Sequence, residues 1–255
     1  MFAVDEGSGP AVLLIHGQPG TAADWTGVAQ ALRDRFRVLV PDRPGYGRTG
    51  GRAEGIVANA ATMASLLEER DAGDAIVAGH SWGAGVAIAM AERHPEHVRR
   101  LVLVNPVTPG DRLGLVDRLL AHERIGPPFA RGAFWVAGSA LAAPRVRRIL
   151  RRTLPGYGIE RSADVARDLR AGGAWRSFYV EQRALFSELP ALREGLSDLR
   201  QPATVVVAAN DRVTDPEAGR RFATEVGARL VEVPRAGHLL PMQAPEEVAD
   251  AIADL

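Results

Sequence analysis

Apolar and polar positions alternate along this chain with two periods, and the switches between them mark out the elements. Ala11 to Ile15 (AVLLI) is an unbroken apolar run closed by His16-Gly17-Gln18-Pro19-Gly20. A short run with no polar position, followed by turn residues, predicts a strand buried on both faces. Trp25, Val28, Ala29 and Leu32 then fall at i, i+3, i+4 and i+7, the stripe of an amphipathic helix. Arg37 to Val40 predicts the next strand, closed by Pro41-Asp42-Arg43-Pro44-Gly45-Tyr46-Gly47, and Val57 to Arg70 a helix with Met63, Leu66 and Leu67 facing inward. Ala75 to Ala78 predicts a short buried strand and Ala84 to Arg93 a tightly packed helix. Val98 to Val104 predicts another strand, ending at Asn105-Pro106. Strand and helix alternating with short loops predict an α/β fold, a parallel sheet with helices on both faces.

The alternation stops at Val107. From there to Ser197 no strand signal occurs, and the stretch predicts helices with Arg clusters (Arg145, Arg147, Arg148, Arg151, Arg152) and scattered aromatics, among them Phe129, Phe134 and Tyr157. Alternation resumes with the strand Ala203 to Ala209, a helix from Pro216 to Val226, the strand Arg229 to Val233 and an amphipathic helix from Pro245. The expected division is a core of residues 1–106 and 198–255, with a helical cap over 107–197 inserted after the strand ending near Asn105.

The chemistry concentrates at the ends of strands. Gly79-His80-Ser81-Trp82-Gly83 is a G-x-S-x-G sequence between a predicted strand and a predicted helix, the context in which its serine is a nucleophile on a sharp turn. Glycines on either side let strand and helix approach, and the start of the helix aims backbone N–H groups at the space above the serine. An alcohol needs a base to take its proton and a group to orient that base. His238 follows the strand Arg229–Val233 and Asp211 follows Ala203–Ala209, so both belong to loops at the same sheet edge. Asp215 precedes Pro216 and is assigned to capping the next helix. Asn105, also at a strand end, is an amide and cannot carry the acid's charge. An oxyanion site needs two converging backbone donors, expected from Trp82 and from Gln18 in the loop after the first predicted strand. His16 is read as a structural hydrogen-bonder for that loop, His80 as packed with its identity incidental, and residues 41–47 as scaffold.

Composition narrows the classes of function. With 31 basic and 31 acidic residues over 255 positions there is no chain-wide bias toward nucleic acid or an anionic membrane, and neither is expected as a partner. All basic residues are Arg. The chain has no Cys, which removes thiol catalysis and thiolate metal sites. No signal-peptide pattern precedes the first strand, and the expectation is a cytoplasmic protein with no metal and no cofactor. A homo-oligomer is compatible with the sequence.

Taken together, HGQPG at 16–20, DRPGYG at 42–47, GHSWG at 79–83, Asp211 and GHLLPMQAPEEVADAI at 237–252 resemble the α/β-hydrolase superfamily, in its branch with a helical cap. The resemblance covers the chain apart from the cap. It implies an eight-stranded sheet, a Ser81–His238–Asp211 triad and a pocket between core and cap, with the short N-terminus leaving room for one leading antiparallel strand. The HG-x-P loop and the Trp after the nucleophile also resemble epoxide hydrolases and haloalkane dehalogenases, relatives that place Asp where this chain has Ser81. That difference decides the chemistry. A serine opening an epoxide or displacing a halide would end as an ether, with no carbonyl for water to attack. Ser81 suits an existing carbonyl, and a small-molecule carboxylester is the expected substrate. C–C bond hydrolysis and lactone hydrolysis by the same triad are the alternatives, and a ligand-binding protein on a hydrolase fold is the alternative of another class. Trp82, Trp135, Trp175, Phe178 and Tyr179 are the expected substrate contacts.

Overall fold

The structure, a computed structural model, describes residues 1–110, 113–153, 166–167, 169–170 and 173–254. Its sheet is built from β1 (Ala3–Gly7), β2 (Ala11–Ile15), β3 (Arg37–Pro41), β4 (Ala75–His80), β5 (Val98–Val104), β6 (Ala203–Ala208) and β7 (Arg229–Val233). Their spatial order is β1-β3-β2-β4-β5-β6-β7. Only β1 runs antiparallel, on β3; the other pairs are parallel. Among the described residues the sheet thus has seven strands, not the eight the resemblance implies, with the one antiparallel strand leading it as expected.

Strand periodicity divides the core in two. Leu13, Ile15, Val77, Leu101, Leu103, Val205 and Val207 point to one face, where α2 (Ile56–Glu69) and α3 (Trp82–Arg93) bury Met63, Leu67, Val86 and Met90. Their neighbours Val12, Leu14, Ile76, Val102, Val104 and Val206 point to the other. There they meet α1 (Thr26–Leu32) and α9 (Pro245–Ala253) through Trp25, Val28, Leu32, Val248 and Ile252. Strands covered on both sides need no polar face, which is why they read as continuous apolar runs.

The helical segment between β5 and β6 includes α4 (Leu115–Ala121), α5 (Gly126–Ala142), α6 (Pro144–Thr153) and α7 (Ala174–Ser187), with α8 (Pro216–Glu225) following β6. Tyr157 lies outside the described residues. On α5 the buried positions are Gly126, Ala130, Phe134 and Phe134's successor one turn on, Gly138, a strict i+4 row.

Chain order reverses across β2 and β4. After β2 the chain moves out to β3, then returns to lay β4 on β2's other side, so the loops leaving β2 and β4 flank one crevice at the carboxyl ends of the strands. Ser81 sits at the end of β4 with φ +53°, a left-handed conformation for a non-glycine residue. The turn is packed to backbone contact. A Cβ at Gly79 would stand 2.3 Å from the Gly83 carbonyl oxygen, and one at Gly83 would stand 2.6 Å from the carbonyl oxygens of Ile15 and His16.

Gly83→Ala should lower stability by about 1–3 kcal/mol through that overpacking. Gly132→Ala, on a helical glycine with open space around it, should raise stability by about 0.5–1 kcal/mol. Urea midpoints check both, and equal midpoints for the two variants would contradict the packing at the turn.

Candidate active site

Adjacent parallel strands bring four distant loops together. Ser81 N donates to Val104 O at 3.0 Å, Asn105 N to Val206 O at 2.8 Å and Ala209 N to Val233 O at 3.1 Å, so the exits of β4, β5, β6 and β7 are tied edge to edge. The residues just beyond those exits are Ser81, Asn105, Asp211 and His238.

His238 Nδ1 lies 2.8 Å from Asp211 Oδ2. A carboxylate only accepts, so Nδ1 carries the hydrogen, and Nε2 is the nitrogen free to exchange a proton. The acid is held firmly. Oδ2 also accepts from the Thr214 hydroxyl at 2.7 Å, and Oδ1 accepts from Val213 N at 2.7 Å and Thr214 N at 3.1 Å. Burial pushes the Asp211 carboxyl up, but the hydrogen bond and charge of His238, with the Thr214 and Val213 donors, outweigh it and hold the group below its ordinary range. Asp215 accepts from Glu217 N at 3.0 Å and caps α8, as the sequence predicts. Among the described residues no hydrogen bond joins the Ser81 hydroxyl to His238; the ring is anchored from the Asp211 side.

The main chain at 238 is fastened to the elbow. His80 Nε2 donates to His238 O at 2.7 Å, and Asn105 Nδ2 donates to His238 O and Gly237 O, each at 3.1 Å. Asn105 Oδ1 in turn accepts from Ala208 N at 2.7 Å. Neither residue's identity is incidental, which corrects the reading of His80 as mere packing. Burial, then the neighbouring His238, lower the His80 pKa to about 3. The ring therefore stays neutral and keeps the one proton that this bond requires.

The loop after β2 touches the nucleophile. A Cβ at Gly17 would stand 3.0 Å from His80 Nδ1 and 3.2 Å from Ser81 Cβ. Gln18 and Trp82, whose amides are the expected oxyanion donors, directly follow Gly17 and Ser81 in the chain; Trp82 N opens α3 and has no intrahelical acceptor. His16 fixes the loop as expected, its Nε2 accepting from Arg43 N at 3.0 Å and its Nδ1 donating to Gly17 O at 2.9 Å. Burial, then the Arg43 charge, push His16 well below its usual pKa, so it too is neutral.

Arg43 does more than shape a turn. Fully buried, it donates from Nε to His16 O at 3.0 Å and from Nη2 to Gly17 O at 2.8 Å, and its Nη1 forms an ion pair with Glu181 of α7, which is equally buried. Tyr46 OH donates to Glu181 Oε2 at 2.6 Å, and Trp82 Nε1 to Glu181 O at 3.2 Å. The guanidinium lies 4.4 Å from the Trp82 ring centroid. Burial pushes the Glu181 carboxyl up, against the pull of Arg43 and Tyr46. Gln18 Nε2 adds a second tie to α7, donating to Phe178 O at 2.7 Å.

The expected substrate contacts are divided by these packing demands. The Trp82 indole is enclosed between Arg43 and Glu181 rather than facing a pocket. Phe178 packs against Phe134 with centroids 5.2 Å apart and ring planes inclined at 55°, next to the Gln18 tie. Tyr179 packs against Gly126, and Arg183 lies over its ring. Trp135 is 60 % exposed, because the i+4 row of α5 that faces inward passes through Phe134. It shares with Trp175 an open cleft of about 820 Å³ on the helical insertion whose lining includes none of Ser81, Asp211 and His238. Thr214, Arg43, Tyr46 and Glu181 were not singled out as site residues. Only Thr214 had a local signal, since a hydroxyl three residues after an Asp at a strand end closes an Asx-type turn; Glu181 reaches Arg43 across 138 positions of chain.

The sequence profile described as "Alpha/beta hydrolase family" matches residues 12–251. A pimeloyl-[acyl-carrier protein] methyl ester esterase of Aromatoleum aromaticum is 31 % identical over 261 residues, covering 96 % of this chain and 98 % of that one. A haloalkane dehalogenase of Mycobacterium tuberculosis is 27 % identical over 263 residues, with 98 % and 89 % covered. An uncharacterized Mycobacterium tuberculosis protein is 43 % identical over 101 residues, which are 39 % of this chain and span 30 % of that protein's length. Among solved structures, a thermophilic esterase of Thermogutta terrifontis superposes with a TM-score of 0.73 at 25 % identity, covering 99 % of this chain and 91 % of that one.

Two outcomes test the packing of the site. Glu181→Ala leaves a buried guanidinium without its carboxylate and should cost about 3–5 kcal/mol, read as a fall in urea midpoint; a midpoint within error of wild type would refute the buried pair. His80 resists protonation when folded and accepts it when unfolded, so its contribution to stability is present above pH 6.5 and is lost as pH falls toward 3. Wild type should therefore lose about 2 kcal/mol more than His80→Gln between roughly pH 7.5 and pH 5. Parallel losses would mean that His80 is not held neutral.

Proposed function

We propose that this chain, which belongs to the alpha/beta hydrolase family, is a serine hydrolase that cleaves carboxylic esters through an acyl-enzyme on Ser81. One observation carries the reading. The 2.8 Å bond between His238 Nδ1 and Asp211 Oδ2 leaves Nε2 as a base, on a loop fastened to the turn that holds Ser81. Ser81 Oγ attacks the ester carbonyl carbon as His238 Nε2 takes its proton. The carbonyl π electrons move to oxygen, where the Gln18 and Trp82 amides receive the charge. Collapse of that intermediate breaks the bond to the leaving alkoxide, which takes the proton from Nε2. Water, deprotonated by the same nitrogen, then attacks the acyl-enzyme and restores Ser81. Asp211, kept ionised, stabilises the imidazolium at each stage.

The methyl ester esterase and the thermophilic esterase among the similar proteins support an ester substrate. The dehalogenase is an equally broad match, but halide displacement by an alcohol oxygen gives an ether that water cannot hydrolyse under these conditions. The site residues therefore favour acyl transfer.

Ser81→Ala should lower kcat/KM for p-nitrophenyl butyrate by about 10³-fold or more, with folding checked by circular dichroism. Equal rates for the folded variant and wild type would overturn the proposal.

A further inference from the structure

The balance of 31 basic and 31 acidic residues conceals a division. Residues 107–197 contain 15 Arg and 9 acidic residues, a net charge of +6, so the remainder carries −6. Within the insertion, positions 124–159 contain 7 Arg and no acidic residue at all. That stretch supplies α5 and α6.

Several core arginines have a counter-charge that the described arginines of this stretch lack. Arg37, Arg99, Arg220 and Arg229 on the core each meet a carboxylate. Among the described residues none is paired with Arg131, Arg145, Arg148 or Arg176. Apolar exposure is concentrated beside them. On α5 the outward side carries Phe129 at 58 %, Trp135 at 60 % and Val136 at 60 % exposure, with Arg131 its one charged residue. Leu115 and Val116, on neighbouring α4, are 73 % and 64 % exposed. Arg131, Arg170 and Arg176 line the same open cleft as Trp135 and Trp175. A surface helix with an apolar outward face is unusual in water.

We propose that this face of the insertion binds peripherally to an anionic lipid surface, with Phe129, Trp135 and Val136 entering the headgroup boundary and the surrounding arginines meeting lipid phosphates. Large apolar side chains next to unpaired cations are what such a surface selects. A two-fold dimer through the same patch would set like charges against each other. A soluble acidic protein would satisfy the arginines without requiring so much exposed apolar surface. No helix among the described residues is long and apolar enough to cross a membrane, so the association is from one side only.

The test is sedimentation of the full chain with vesicles, independent of any catalytic activity. Binding is expected with phosphatidylglycerol-containing vesicles, not with pure phosphatidylcholine, and should weaken at high salt. Arg131→Glu/Arg145→Glu/Arg148→Glu should weaken it by about 10²-fold, and Trp135→Ser by about tenfold, both confirmed as folded by circular dichroism. In wild type, brominated phosphatidylglycerol should quench the exposed tryptophan emission, a readout that needs no variant. Equal binding to both vesicle types, or to neither, would overturn the proposal. So would tight binding to soluble polyglutamate without vesicle binding, or a dimer in light scattering that Trp135→Ser disperses.

Discussion

The Arg43–Glu181 ion pair is the contact on which the arrangement around Ser81 depends. A buried guanidinium is tolerated only when its charge is matched and its donors are used. Arg43 meets that condition by gathering groups from three parts of the chain: the His16 and Gly17 carbonyls after β2, the Glu181 carboxylate on α7, and the Trp82 ring at the start of α3. Each partner is thereby placed. The loop that presents Gln18 is fixed from beneath by Arg43 and from above by the bond from its own side chain to Phe178 O. Core and insertion are thereby tied together beside the turn that holds Ser81.

A second constraint governs the other half of the site. Parallel strands place their carboxyl ends along one edge, and the reversal of order between β2 and β4 opens a crevice there. Ser81 occupies it in a left-handed conformation, held by Gly79 and Gly83 on one side and by a hydrogen bond to Val104 on the other. Asn105, itself at φ +42°, carries the alignment on to the His238 loop. Local backbone strain at such a turn is sustained because its neighbours are already committed by sheet pairing. The neutral His80 belongs to the same network, since its single Nε2 proton is spoken for by the His238 carbonyl.

Electrostatics separates the two regions of the molecule. On the core, Arg37, Arg99, Arg220 and Arg229 find carboxylates, and exposed pairs of that kind contribute little individually. The core as a whole is left with an acidic excess that balances the basic excess of the insertion. The insertion lacks acidic residues over a long stretch, so its arginines project a positive field beside exposed apolar side chains. Averaged over the whole chain this contrast vanishes, which is why composition alone gave no reason to expect an anionic partner.

Much was legible in the sequence because periodicity reports burial directly. Apolar runs at 11–15 and 75–78 read as strands covered on both faces, and the stripe through Val28 and Leu32 as one side of a helix, and the fold has them so. Strand ends followed by Ser81, Asp211 and His238 located the candidate chemistry, since parallel strands send their exits to one edge. What side chains do across the fold was not legible. Arg43 looked like part of a turn, and Glu181 like any acidic residue on an amphipathic helix, until the packing of α7 against the core buried both. Trp82 and Trp135 looked alike as aromatics. Which one is enclosed and which faces solvent was decided by helix phase and by the cation beneath Trp82, quantities that exist only once elements are packed. Sequence determines which residues must leave water; tertiary structure decides which polar groups they meet when they do.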